Sequence, residues 1–453
     1  MRQPSGDRAL KRKALVILPA AMLVLLVCCA ASAGGPKVTR FTLSNGIRVV
    51  VLHVADCKHV AIVSYLPLGL AADGKGKTQW SHLIEHLTLR TTGRITDYRK
   101  RNGETMAQLI HLDFVGAADE WTEGLDLHAK WLSGLPLSKQ SLREELPKAL
   151  AEVRTTSARL YGHKWAFAAW NQVFRHGQRE VAVLGDIQSA RLGDLQQYRD
   201  RHLVLLDRVL VCVIGGIEPG TLKPALQRRL GGIKSIARTL PAATSAPPRS
   251  KRQAAAWDLD ATHYIETYPI PKPDHKDYAA VRVAAALLGQ VLFTDPAIKQ
   301  STGMVLCGAD LITPEGAYFY VSASVRPGAD VEKVRRQIER QLGRLKQPDS
   351  KPRISMVAAA LSRQASAPTD PAAAMRYKPA HLTEAMMLAN IGLQWGLLEF
   401  QYGKTLPALG RALSGVSAAD VASVAGKYLS SGKRSTVILT PRKAGGEKGR
   451  RGS

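Results

Sequence analysis

The stretch Asp194-Leu195-Gln196-Gln197-Tyr198-Arg199-Asp200-Arg201-His202-Leu203, followed by the apolar run Val209–Ile214, has a counterpart near the far end of the chain. There Asp420-Val421-Ala422-Ser423-Val424-Ala425-Gly426-Lys427-Tyr428-Leu429 precedes Ser435–Thr440. Leu195 matches Val421, Tyr198 matches Val424 and Leu203 matches Leu429, so each stretch reads as an amphipathic helix, a turn and a buried strand. Working outward, the starts correspond too. Val60–Leu66 and His263–Ile270 read as strands, each leading through a short polar loop into a helix, Thr78–Leu89 and Asp277–Leu288. Between the two copies, residues 237–256 contain Pro241, Pro247, Pro248 and the basic Arg249–Arg252 and read as a linker. The expected organisation is therefore a first domain over 34–236, the linker, and a second domain over 257–441. Phe41–Val49 places two strand-like runs around Asn45-Gly46, the signal for a tight hairpin. Strands and helices are intermixed, as in a tandem repeat of one mixed α/β unit.

The chain has 453 residues, 45% of them hydrophobic, and only five cysteines, which excludes a disordered chain and a disulfide scaffold. Arg2, Arg8, Lys11, Arg12 and Lys13 precede the apolar run Ala14–Ala30 and the small residues Ala31-Ser32-Ala33. That order predicts a signal peptide over residues 1–33 and an exported, periplasmic or secreted, protein. The alternative is an uncleaved anchor through residues 14–33, the one route by which the chain would engage a membrane. Beyond it lie Cys57, Cys212 and Cys307, expected as buried free thiols. The formal charge of +26 invites a nucleic-acid reading, but the basic residues are dispersed and no cluster interleaves with stacking aromatics, so nucleic acid is not expected as a partner. The tail 442–453 reads as a basic, disordered end.

The chemistry concentrates in Ser81-His82-Leu83-Ile84-Glu85-His86-Leu87, which contains His-x-x-Glu-His, the inverse of the His-Glu-x-x-His zinc signature. On a helix His82 and His86 are i and i+4, so both imidazoles can reach one zinc ion. Glu85 lies beside that position, where it could accept a proton from a water whose pKa the metal has lowered. A third ligand is offered by Glu152, seven residues and two helical turns after Glu145. Glu145 would then orient a ligand or tune the water, a catalytic role without direct ligation. The competing reading of this pair is an ordinary acidic helix face. Pro147 fits only the first turn of a helix, which would put Glu145 just ahead of it.

On these residues, together with Asn45-Gly46 and the helix-then-strand ending at Tyr198–Ile214, the chain resembles the M16 family of zinc metallopeptidases, the pitrilysin, insulinase and mitochondrial processing peptidase group, as a single two-domain subunit. The resemblance implies an α+β fold of two tandem homologous α/β roll domains, each a mainly antiparallel sheet packed with helices, facing each other across a cavity. It implies one Zn2+ per chain held by His82, His86 and Glu152, with Glu85 as general base. Peptides or unfolded segments would bind as an added strand, and a second M16-like subunit could pair with the chain as a homodimer or heterodimer. Three departures accompany the resemblance. The interval from His86 to Glu152 is 66 residues, shorter than is usual for the inverted motif in the family. Gly103-Glu104-Thr105-Met106-Ala107 carries Met106 where the family's substrate-touching strand usually has Asn, and residues 289–311 lack the family's Arg and Tyr pair. The expected function is a zinc endopeptidase; the alternative is a non-catalytic or partner-dependent subunit. Trp80, Trp121, Trp131, Trp165 and Trp170 read as core or interface residues, and His111, His128, His163 and His176 show no ligand spacing.

Overall fold

Val49–Leu52, Val60–Leu66 and Leu210–Ile214 are apolar at every position but Ser64, a pattern that suits strands covered on both faces. In the computed structural model all three belong to one sheet. The structure describes residues 36–442 apart from 94, 96, 158–169, 171–173, 175–179, 181–182, 204–205, 235–250, 314–315, 348–350, 372–373 and 375–381. The expected signal peptide, most of the expected linker, Trp165, His163, His176 and the tail beyond Arg442 lie outside the described residues.

The strands are β1 (Lys37–Thr42), β2 (Arg48–His53), β3 (His59–Leu66), β4 (Arg101–Thr105), β5 (Ile110–Ala117), β6 (Leu210–Gly215), β7 (Arg252–Trp257), β8 (Thr262–Ile270), β9 (Thr302–Thr313), β10 (Gly316–Val325) and β11 (Ser435–Pro441). The helices are α1 (Trp80–Arg90), α2 (Trp121–Leu132), α3 (Lys139–Ser157), α4 (Leu184–Gln188), α5 (Leu192–Leu203), α6 (Pro219–Arg229), α7 (Tyr278–Thr294), α8 (Pro296–Ser301), α9 (Val331–Arg344), α10 (Lys351–Ser366), α11 (Glu384–Tyr402), α12 (Leu406–Ser414) and α13 (Ala418–Tyr428). Among the described residues no helix is long and apolar enough to cross a membrane.

The first sheet runs β1-β2-β6-β3-β5-β4 and the second β7-β11-β8-β10-β9. Strand for strand, β2-β6-β3-β5-β4 repeats as β7-β11-β8-β10-β9. In both, the leading pair is parallel and every later pair antiparallel. The mixed, mainly antiparallel architecture expected from the sequence is the one observed, with β1 added at one edge. Residues 252–256, expected as linker, instead form most of β7. Composition misled here, because Ala254–Ala256 has little to bury while parallel pairing with β11 satisfies its backbone.

Each side of the first sheet has its own cover. Val49, Val51, Ile62, Phe114, Val211 and Val213 pack with Leu83, Ile84 and Leu87 of α1 and Leu125 of α2. The alternate residues Val50, Leu52, Val63, Tyr65, Cys212 and Ile214 belong to a second cluster with Leu388, Ile391 and Trp395 of α11. A helix from the second half thus closes the back of the first sheet. The contact is close enough to require glycine: a Cβ at Gly396 would lie 2.5 Å from the Tyr65 ring. Tyr65 donates its hydroxyl to Leu393 O at 2.7 Å, and Arg40 donates to Glu399 Oε1 through Nε at 3.0 Å.

Smaller expectations divide. The Asn45-Gly46 hairpin forms, with Gly46 at φ +93°, and Asn45 Nδ2 donates to Leu230 O at 2.7 Å just past α6. Trp80, Trp131 and Trp170 are buried, while Trp121 is half-buried. Cys57, Cys212 and Cys307 are free, but only Cys212 is buried; the other two are half-buried, a correction that follows from their places in the β2–β3 loop and on the outermost strand β9.

Candidate metal centre

Helix α1 is held at its start by a buried carboxylate. Asp73 accepts from Ser81 N at 3.1 Å, Ser81 Oγ at 2.9 Å and the Tyr198 hydroxyl at 2.9 Å, so a side chain from outside the helix satisfies amides of its first turn. Burial pushes the Asp73 carboxyl up to about 7 against those hydrogen bonds. Gln79, just before the helix, takes a left-handed φ of +66°. The apolar residues Leu83, Ile84 and Leu87 face the sheet, and the spacing that buries them turns His82 and His86 toward α3.

The two imidazoles meet with Nε2 atoms 3.2 Å apart. Glu152 Oε2 lies 3.6 Å from His82 Nε2 and 3.7 Å from His86 Nε2, and one ligand atom from each residue falls within 4.8 Å of the others. A tetrahedral zinc with bonds of about 2.0–2.2 Å holds neighbouring ligand atoms roughly 3.3–3.6 Å apart, and the observed 3.2, 3.6 and 3.7 Å come close to that spacing, so the donor set fits zinc after only a small adjustment. The electrostatics agree. Burial lowers His82 and opposes charge on His86, but the Glu145 and Glu152 carboxylates outweigh it and raise His86 to about 10. Burial likewise opposes the Glu152 carboxylate, yet the two imidazoles hold it far below the usual range. The carboxylates thus favour positive charge at His86, while His82 is pushed toward its neutral form.

Glu145 stands behind the trio. Its Oε2 is 3.3 Å from His86 Nδ1, and its Oε1 accepts from Lys148 Nζ at 2.7 Å. A proton on His86 Nδ1 would be donated to this carboxylate, which would leave Nε2 to face a metal, the arrangement metal-binding histidines use. Helix α3 runs through Pro147, so the expectation that Glu145 precedes the helix is corrected: the packing of α3 on α1 tolerates one missing backbone donor, and both glutamates share a face. Glu85 is buried and accepts from the Thr105 hydroxyl at 2.6 Å. An open cleft adjoins the site, lined by Glu85, His86, Glu145 and Glu152 and by Leu89, Arg90, Ile95, Tyr98, Asn102, Gly103 and Lys148.

All five residues expected from the sequence therefore lie around one point. Further residues take on a role only in the folded chain. Thr105 gave no signal, because its role depends on β4 lying against α1. Arg90 donates to Glu144 at 2.5 Å and lines the adjoining cleft. His111 is bracketed by Asp113 at 2.7 Å and Glu104 at 3.4 Å on the opposite face of the same sheet. Its period-two spacing with Asp113 was the available clue.

No curated protein matches the chain by sequence. Residues 189–353 match the family model described as "Peptidase M16 inactive domain", a region that begins after all five site residues. Among solved structures, a protease from Helicobacter pylori is 17% identical with a TM-score of 0.70, covering 90% of this chain and 100% of its own. A peptidase M16 inactive domain from Pseudomonas fluorescens is 14% identical with a TM-score of 0.65, covering 90% of this chain and 98% of its own. A chain of complex III2 from Candida albicans is 12% identical with a TM-score of 0.65, covering 89% and 96%. Two mixed sheets packed with helices and these neighbours together establish that the chain has the M16 peptidase-like fold.

Proposed function

We propose that the chain is a zinc-dependent endopeptidase acting on peptides or unfolded protein segments. The observation that carries this reading is the convergence of His82 Nε2, His86 Nε2 and Glu152 Oε2 within 4.8 Å, with Glu85 beside them in an open cleft. A zinc ion held by His82, His86 and Glu152 would supply Lewis acidity there and would lower the pKa of a water to about 7. Glu85 takes a proton from the attacking water and passes it to the leaving amine, so that one water is consumed per bond broken. Glu145 keeps His86 in the tautomer that presents Nε2. The cleft walls Asn102 and Gly103 belong to β4, the outer strand of the first sheet, where an extended substrate can add as a further strand. The basic and apolar order of residues 1–33 supports an exported protein.

The test is zinc stoichiometry and cleavage of unstructured peptides by the mature protein, with Glu85→Gln beside it. Stoichiometric zinc with cleavage that the substitution abolishes supports the reading; wild-type protein that binds no zinc ends it. A second reading, a binding or assembly subunit that needs an M16-like partner, is favoured by the inactive-domain match and by Met106. It gains if the protein holds zinc and cleaves nothing alone.

A further inference from the structure

We infer that Thr105 is the positioning residue for Glu85, an inference that rests on the peptidase reading above. Glu85 reaches from α1 toward β4 and is only 6% exposed, so its carboxylate has little solvent to orient it. Thr105, 1% exposed at the end of β4, does so instead through an O–H···O bond of 2.6 Å to Oε2, within the short range of bonds to a charged acceptor. A hydroxyl has one proton to give. Donating it to Oε2 engages that oxygen and favours Oε1 as the one that receives a proton, so the contact orients the carboxylate. Threonine suits this, because its β-branch restricts χ1 and aims the hydroxyl at little entropic expense. β4 also supplies Asn102 and Gly103 to the cleft wall and lies at the sheet's edge. The strand along which an extended substrate would pair is thus the strand that orients the base.

Thr105→Val keeps shape and removes only the donor, while Thr105→Ser keeps the donor. The experiment measures kcat and KM on an unstructured peptide, zinc stoichiometry and Tm for the full mature chain in all three forms. Thr105→Val is expected to lose roughly 10- to 100-fold in kcat, the scale of one hydrogen bond to a charged group, with KM, zinc and Tm at wild-type values. Thr105→Ser is expected to recover most of that loss. Unchanged kcat in Thr105→Val overturns the inference. So does equal loss in both variants, or loss of zinc or early melting in Thr105→Val, since either makes the residue merely structural. A zinc-loaded wild type that cleaves nothing is seen before any substitution; it defeats the peptidase reading and this inference with it.

Discussion

Helices α1 and α7 hold corresponding places in the two halves, each following the strand (β3 or β8) that pairs with the parallel-paired β6 or β11. Counted from their first residues, α1 carries His82, Glu85 and His86 where α7 carries Ala280, Val283 and Ala284, all three buried. One architecture thus supports a polar, cation-seeking face in the first half and close apolar packing in the second. Arg282, the one charged residue of α7, is absorbed locally: its Nη1 lies 3.6 Å from Asp310 and its guanidinium 5.9 Å from the Tyr402 ring centroid. The fold itself asks only for a helix at this place. Chemistry requires a cleft and a second helix bearing carboxylates, which α3 provides.

The comparison is broken most severely by Glu85→Gln. Removing the base from α1 should cost about 10²–10⁴-fold in kcat while leaving Tm and zinc content near wild type. A stability loss that matches the activity loss would mean that Glu85 is part of the core. The mirror substitution, Val283→Glu, places an uncompensated charge at a fully buried site of α7 and should cost about 3–5 kcal/mol in urea unfolding. A wild-type midpoint would show that the second half tolerates a site as well as the first. Gly396→Ala, on the helix that joins the halves, should cost roughly 1–3 kcal/mol through collision with Tyr65.

The smallest effect concerns pH. In the second half burial raises Glu266 to about 7, although Tyr264 donates to it at 2.6 Å. Its folded pKa lies above its unfolded one, so its contribution to stability is complete below about pH 4.5 and is lost as pH rises toward 7. In the first half burial depresses His128 to about 3, and that contribution runs the other way, present above about pH 6.5 and lost on acidification. Glu266→Gln should therefore gain on wild type by about 1–3 kcal/mol between pH 4.5 and 7. A difference independent of pH across that window would count against a protonated Glu266.

Much of this was legible in sequence because it is local. The repeated helix-then-strand endings are patterns of period 3.6 and 2, and His82, Glu85 and His86 lie within one turn. Glu152 was readable from its seven-residue spacing to Glu145. The rest depends on contacts between distant elements. Thr105 matters only because β4 lies beside α1, and Pro147 is tolerated inside α3 because packing overrides a local preference. β7 had a linker's composition and becomes a strand only when β11 pairs with it. The Glu104–His111–Asp113 group is legible once β4 and β5 are in register.

The closure of the first sheet by α11 carries a consequence for how the chain assembles. Arg40 and Glu399 meet across 359 residues of sequence, and Tyr65 meets Leu393 across 328. Such long-range closure is slow, and it comes after local helices and hairpins have formed. A ribosome releasing the first half leaves Val50, Val63 and Ile214 bare until the last fifth of the chain follows. Until Leu388, Ile391 and Trp395 arrive, that apolar face lacks the cover they provide in the finished fold, so a first half made alone is expected to aggregate more readily than the full chain.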